Sequence, residues 1–217
     1  MVPGCGLLRG ADRRPFGVQS ISKPVPSDQI LSYRQCTNQH TSFNLMPETM
    51  QTTTPKSQVI YAPAREAIRG VKSIFLAGTT AKTKPDDRDW REVLSESLAD
   101  TPVTILNPYR GDWDSTWRED IAFAPYREQV EWELDMQEAA DIIVVFFHPD
   151  TQAPISLLEL GLSARSGKCI VSCPEGYLKR GNVQIVCQRF GVEMVESVDE
   201  LRDAILRRLP DDFTRTA

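Results

Sequence analysis

Hydrophobic and polar positions along this chain follow two regimes that change near residue 70. Up to residue 69, scattered Ser, Thr, Gln, Asn and Pro break every apolar period, as in Lys23-Pro24-Val25-Pro26, so residues 1–69 read as a mostly disordered leader. From residue 71 onward, short apolar runs alternate with amphipathic stretches. The pattern predicts strands over 71–77, 103–106, 141–147, 169–172 and 192–195. It predicts helices over 87–99, 126–140, 156–166, 182–190 and 198–209, the last capped by Ser197. Strands and helices alternating at this spacing build βαβ units, which close only as a parallel sheet with right-handed crossovers. The expected fold over residues 70–210 is therefore a flavodoxin-like or Rossmann-like three-layer α/β sandwich. Its sheet has five parallel strands in the order 2-1-3-4-5, and a short tail, 211–217, follows.

Chemistry is expected at one edge of that sheet. The six-residue apolar run from Ile142 to Phe147 suits a strand covered on both faces, and ligands of open α/β sheets bind beyond the carboxyl ends of such strands. The loop 148–155 leaves at that edge, and Glu159 is expected in the first turn of the helix that follows. A first-turn carboxylate is ordinarily a partner for the helix dipole; the alternative is a catalytic group. At the end of the first strand, Gly78, Thr79 and Thr80, with Lys82 and Lys84 after them, offer amides, hydroxyls and ammonium groups to a sugar hydroxyl or a phosphate. Neither Gly-x-Gly-x-x-Gly nor a Walker pattern is present there, so neither a dinucleotide nor a nucleoside triphosphate is indicated. The connection 107–125 far exceeds the roughly 2 to 6 residues usual between such elements, and it holds Asn107, Arg110, Asp112, Trp113 and Trp117. Its tryptophans suit either stacking on a flat ligand such as a nucleobase or tucking the loop against the body.

Composition narrows the field. A chain of 217 residues with 41% hydrophobic content supports one substantial core. A net charge of -5 with pI near 5.2 argues against a partner that is a nucleic-acid polymer and for a small or neutral ligand; a homo-oligomer is a separate expectation. No apolar run reaches the roughly 20 residues of a membrane span, so no membrane partner and a cytoplasmic location are expected. Arg9, Arg13 and Arg14 sketch an organelle-targeting leader as the weaker alternative, and Met46 and Met50 offer internal starts. The five cysteines match no zinc spacing and there are only two histidines, so no metal and no cofactor are expected. Cys169 and Cys173, within a strand-like run, read as buried packing groups.

Taken together, Phe75-Leu-Ala-Gly78-Thr79, Asn107-Pro-Tyr-Arg110 with Asp112-Trp-Asp, Gln129-Val-Glu-Trp-Glu133, Ala140-Asp141 and Pro154-Ile-Ser-Leu-Leu-Glu159-Leu-Gly161 resemble the nucleoside 2-deoxyribosyltransferase-like family over about residues 71–209. The resemblance implies a glutamate nucleophile that attacks C1' of a 2'-deoxyribosyl group, releases the base and passes the sugar to another base or to water. Glu159 matches that nucleophile, and Glu133 stands where the family places a carboxylate that contacts the base. Asn182 is the candidate for an asparagine that a neighbouring subunit lends to some family sites. The pattern departs at Ala153, where family transferases commonly carry an aspartate, leaving Glu133, Asp112 or Asp150 to move the base-side proton. The function expected is cleavage or transfer at the N-glycosidic bond of a 2'-deoxynucleoside or related nucleotide, a chemistry that suits a carboxylate because its transition state resembles an oxocarbenium ion. A non-catalytic nucleotide-sensing module on the same fold, or an NAD-cleaving glycohydrolase, are the alternatives.

Overall fold

The computed structural model describes residues 56–79 and 88–210. Within them lie six strands, β1 (Gln58–Tyr61), β2 (Lys72–Gly78), β3 (Val103–Asn107), β4 (Ile142–Phe146), β5 (Cys169–Ser172) and β6 (Glu193–Val195). Five α-helices accompany them: α1 (Trp90–Ser97), α2 (Ala124–Ala139), α3 (Pro154–Ser163), α4 (Arg180–Phe190) and α5 (Val198–Leu206). Every neighbouring pair of strands is parallel, and the sheet runs β1-β3-β2-β4-β5-β6. Its last five strands stand in the expected relative order; β1 adds a sixth outside β3. No helix among the described residues is long and apolar enough to cross a membrane.

The strands are apolar on both sides because both sides are covered. Along β2, Ile74 and Leu76 enter one core cluster with Trp90 and Leu94 of α1 and with Leu201 and Ile205 of α5. Phe75 and Ala77 enter the other, with Trp132 of α2, Leu160 of α3 and Val183 of α4. Burial of each such side chain contributes roughly 1.5–3 kcal/mol relative to exposure, which is why the central strands carry almost no polar residue. Among the described residues, polar side-chain atoms that go inside are paired apart from Trp90 Nε1, Gln129 Oε1 and Ser172 Oγ. Asp141, just before β4, accepts from the Ser73 amide and the Ser73 hydroxyl, both at 2.9 Å, and from Lys72 at 3.1 Å, stitching β2 to β4 at the edge away from the cavity described below.

Strand β1 corrects the reading of residues 1–69 as leader. Four residues, Gln58–Tyr61, are too few to produce a periodic signal between polar and proline-rich neighbours, and their pairing with β3 comes from across the sheet. Thr104 anchors the segment that follows: its buried hydroxyl donates to Gln58 Oε1 at 2.9 Å and accepts from the amides of Arg69 at 3.1 Å and Gly70 at 2.8 Å. Gly70 has to be glycine for this approach, since a Cβ there would lie 2.3 Å from the Thr104 nitrogen. Residues 1–55 and 211–217 lie outside the described residues, as do Cys5, Cys36, Met46 and Met50.

Helix α3 also differs from expectation. Pro154 occupies its first turn, where a missing N–H costs nothing, so the helix begins two residues before the predicted start. Glu159 therefore sits in the second turn, beyond the reach of the dipole that a first-turn carboxylate would satisfy.

Replacing Thr104 by valine keeps its shape and removes the hydroxyl, leaving the Gly70 amide without its acceptor. Urea unfolding of Thr104→Val should show a loss of about 1–3 kcal/mol, as is usual for an orphaned buried donor; an unchanged midpoint would mean that β1 and the following turn are held by the backbone ladder alone.

Candidate active site

At the carboxyl edge of the sheet, a cavity of about 490 Å³ opens between the end of β2, the start of α1, the loop after β3 and the first turns of α2. That volume lies within the roughly 300–1,000 Å³ of small-molecule sites. Gly78 and Thr79 form one wall. Gly78 adopts φ +135°, and a Cβ there would meet the Phe146 carbonyl oxygen at 2.5 Å, so only glycine lets β2 leave the sheet this close to β4. Thr79 Oγ1 lies 2.8 Å from Thr151 Oγ1, tying this turn to the loop between β4 and α3. Thr80, Lys82 and Lys84 fall outside the described residues.

Arg91, which the sequence pattern did not single out, dominates the charge of the site. Asp89 caps α1 by accepting from the Arg91 amide at 2.9 Å, and this fixes where the arginine side chain departs. The guanidinium donates to the carbonyls of Leu76, at 3.3 Å, and Gly78, lies 5.0 Å over the Trp90 ring, and keeps 12% of its side chain exposed. Burial pulls its pKa down, while Asp89, Glu159 and Glu133 favour its charged form.

Helix α2 supplies a polar stripe at four-residue spacing, Gln129, Glu133 and Gln137, facing inward beside the buried Trp132. Gln129 and Glu133 line the cavity. Gln129 Nε2 donates to the Pro108 carbonyl at 2.8 Å and to Glu133 Oε1 at 2.9 Å, and those two acceptors fix the orientation of the amide. Its Oε1 is buried with no hydrogen-bond partner among the described residues. Burial raises the pKa of Glu133, opposed by the Gln129 amide and by Arg91.

Glu159 is not part of the cavity lining. It is 8% exposed, its Oε1 accepts from Gln137 Nε2 at 3.0 Å, and its own carbonyl accepts from Ser163 Oγ at 2.7 Å. Burial pushes its carboxyl up to about 8, the negative charge of Glu133 adds to the rise, and Arg91 opposes it. Two cavity-lining charges thus act directly on a carboxylate set just behind the lining. Arg91, Glu133 and Glu159 form one electrostatic cluster contributed by α1, α2 and α3.

The long loop is built as much as it is open. Arg110 donates to Asp112 and to Glu128, each at 2.8 Å, and its guanidinium lies 5.1 Å over the Trp117 ring. Trp117 packs between Arg110 and Phe123, which is the tucking of the loop against the body, while Trp113, 45% exposed and 5.1 Å from Trp117, lines the cavity. Arg110 also lines the cavity, but its guanidinium is committed to those two carboxylates, with 8% of its side chain exposed. Asp112 is absent from the lining; it is exposed, and Arg110 holds its carboxyl below the usual range. Asn107 is buried, caps the loop by accepting from the Tyr109 amide at 2.9 Å, and lines an adjoining cleft of about 270 Å³ that shares Asp89, Arg91 and Tyr109 with the first.

Three further positions singled out in the sequence lie outside the lining of both cavities. Asn182 is an exposed residue in the first turn of α4 and lines neither cavity, because the helix begins at Arg180 and turns it outward. Asp150 is 63% exposed, with its amide bonded to His148 Nδ1 at 3.1 Å. Ala153 is buried, in the left-handed region at φ 47°, and gives α3 no side-chain cap. Cys169, Cys173 and Cys187 are buried free thiols, and burial pushes the last two up to about 11, as suits packing groups rather than nucleophiles. Among the described residues, no group of three or more His, Cys, Asp or Glu is arranged to hold a metal ion.

The signals that were missed share a character. Arg91, Asp89, Tyr109, Gln129 and Gln137 are unremarkable residue types on helices and loops, and of them Tyr109, within Asn107-Pro-Tyr-Arg110, and Gln129, within Gln129-Val-Glu-Trp-Glu133, stood in a recognised motif. No curated protein matches this chain. Residues 71–177 match the model of a family described as nucleoside 2-deoxyribosyltransferase like. The matched segment runs from the residue before β2 to Tyr177 beyond β5, so it takes in both cavities and Glu159, except Tyr61 in the smaller cleft, and leaves out Asn182. Through residues 71–177, the chain belongs to the nucleoside 2-deoxyribosyltransferase-like family.

Proposed function

We propose that the protein cleaves or transfers at the N-glycosidic bond of a 2'-deoxynucleoside or related nucleotide, with Glu159 as nucleophile and Glu133 as the base-side proton donor. The observation that carries this reading is the pair of inward carboxylates, Glu133 and Glu159, coupled to one buried arginine beside a cavity sized for a small molecule. Family membership points to N-glycosyl chemistry and supports the same assignment.

The steps balance as follows. An oxygen of ionised Glu159 bonds to C1', the electron pair of the C–N bond leaves with the base, and the base takes the proton of Glu133. The glycosyl ester is then opened by a nitrogen of a second base or by water, whose proton returns to Glu133. Two carboxylates facing one guanidinium leave a surplus negative charge when both are ionised, so near neutrality the pair retains a proton; in the free protein it sits on Glu159, whose carboxyl burial pushes up to about 8, and the reacting form is the one in which Glu133 holds it and Glu159 is ionised. Arg91 supports the ionised nucleophile without serving as an acid. Of the three acids that stand in for the aspartate missing at Ala153, Glu133 is the best supported, since it lines the cavity with a raised pKa, whereas Asp112 and Asp150 are exposed. Trp113 offers an aromatic face to the base, and the unpartnered Gln129 Oε1 suits an N–H donor on it.

A second reading, a nucleotide-sensing module without turnover, is favoured by Ala153, which brings no carboxylate to its buried turn. Stabilisation by a ligand with no product formed would select it; saturation at 100 times Kd would add about 2.7 kcal/mol to stability.

Purified protein incubated with deoxynucleosides and free bases should release or exchange base, and Glu159→Ala should lower the rate by at least about 10³-fold while the fold persists. A fully active Glu159→Ala protein would remove Glu159 from the nucleophile's role, and no release or exchange with any substrate would remove the reaction itself.

Stability carries an independent signature. Burial pushes the Glu159 carboxyl up to about 8 in the folded protein, above the ordinary 4.5, so the native state binds the extra proton between those values and stability should fall as pH rises toward 8. Glu159→Gln should flatten that decline, by an amount on the order of a few kcal/mol, in thermal unfolding followed from pH 5 to 9.

A further inference from the structure

We propose that Gln137 is a positioning residue for the nucleophile: its side-chain amide holds one carboxylate oxygen of Glu159, orients the other toward C1', and favours the ionised form that attacks. This inference rests on the reading of Glu159 given above.

Its basis is geometric. Gln137 Nε2 donates to Glu159 Oε1 at 3.0 Å, and both residues are buried, at 8% exposure each. Gln137 is one helical turn beyond Glu133 on α2, so the same stripe that gives Glu133 its amide from Gln129 gives Glu159 its amide from Gln137. Each carboxylate thus has its own amide donor, rooted in one rigid helix. A hydrogen bond to one oxygen leaves Oε2 to form the bond to C1', while the amide compensates part of the charge that burial penalises. Neither Gln137 nor Glu159 is in the lining of the main cavity, and the Gln137 amide is spent on Glu159, so Gln137 acts through the nucleophile.

The charged groups facing Glu159 are Glu133 from α2, which disfavours its ionisation, and Arg91 from α1, which favours it. The strands beneath α3 add none there: β2 over Ile74–Gly78 and β4 over Ile142–Phe146 present apolar residues and glycine. Apart from Arg91, Gln137 is the identified side chain that favours the anion, and unlike Arg91 it is not part of the cavity wall.

Gln137→Met keeps the volume and removes the donor. Turnover by this variant should fall about tenfold or more in kcat with KM within about twofold, and the rising limb of the kcat/KM profile should move up by about one pH unit, the shift expected for losing one hydrogen bond to a buried anion. The same shift should be visible without substrate, in the carboxyl carbon NMR titration of Glu159, identified by its loss in Glu159→Gln. Gln137→Glu, which donates only while protonated, should work at low pH and lose activity as the second carboxyl ionises, turning the profile into a bell. It also serves as the test if the methionine variant does not fold.

A lower melting temperature with an unmoved pH profile and titration would overturn the proposal, leaving Gln137 a packing group. So would a Gln137→Glu variant that stays active at high pH. If the wild-type protein turns over no nucleoside, the reading of the reaction fails, and the NMR titration alone still decides whether Gln137 sets the ionisation of Glu159.

Discussion

The guanidinium of Arg91, seated on the carbonyl ends of β2, is the interaction on which the site depends. A parallel sheet ends in carbonyls that no further strand will satisfy, and the first helix returns a cation to them from its own capped start. Once there, the same cation makes it feasible to bury two carboxylates nearby. Without a counter-charge, each would cost several kcal/mol to desolvate, and the pair would repel. One residue therefore joins the closing of the sheet edge to the chemistry beside it.

Much of the fold could be read from the chain because its central strands are buried on both faces. Ile142 to Phe147 admits few readings, and the alternation of such runs with helices led to the relative order of five strands. Strand β1 escaped because four residues without a flanking period carry no signal of their own; it is a strand because β3 offers it an edge. Glu159 was legible as a residue but misplaced by a turn, since the loop was carried to residue 155 while Pro154 starts the helix. The uncharged amides of α2 were illegible for a different reason. A glutamine says nothing about its partners until the acceptors facing it are known, and here these are Pro108 on a loop, Glu133 on its own helix and Glu159 on another helix.

The loop after β3 shows why long connections resist being assigned a single role. Its arginine, two tryptophans and acidic residues make a self-supporting cluster, with Trp113 and Trp117 at 5.1 Å and Arg110 ion-paired on both sides. That rigidity is what allows one aromatic face, Trp113, to be presented to a cavity without collapsing into it. Packing within the loop and the lining of the cavity are successive layers of the same structure.

Ala153 holds a backbone shape that its own side chain does not favour. At φ 47° and ψ 49° it occupies the left-handed region, where asparagine, aspartate and glycine are at ease and alanine is strained by about 1–2 kcal/mol. The turn before α3 therefore has a shape that aspartate, asparagine or glycine would hold with less strain. A single substitution to aspartate would suit that conformation and bring a capping oxygen to helix amides that lack a side-chain cap.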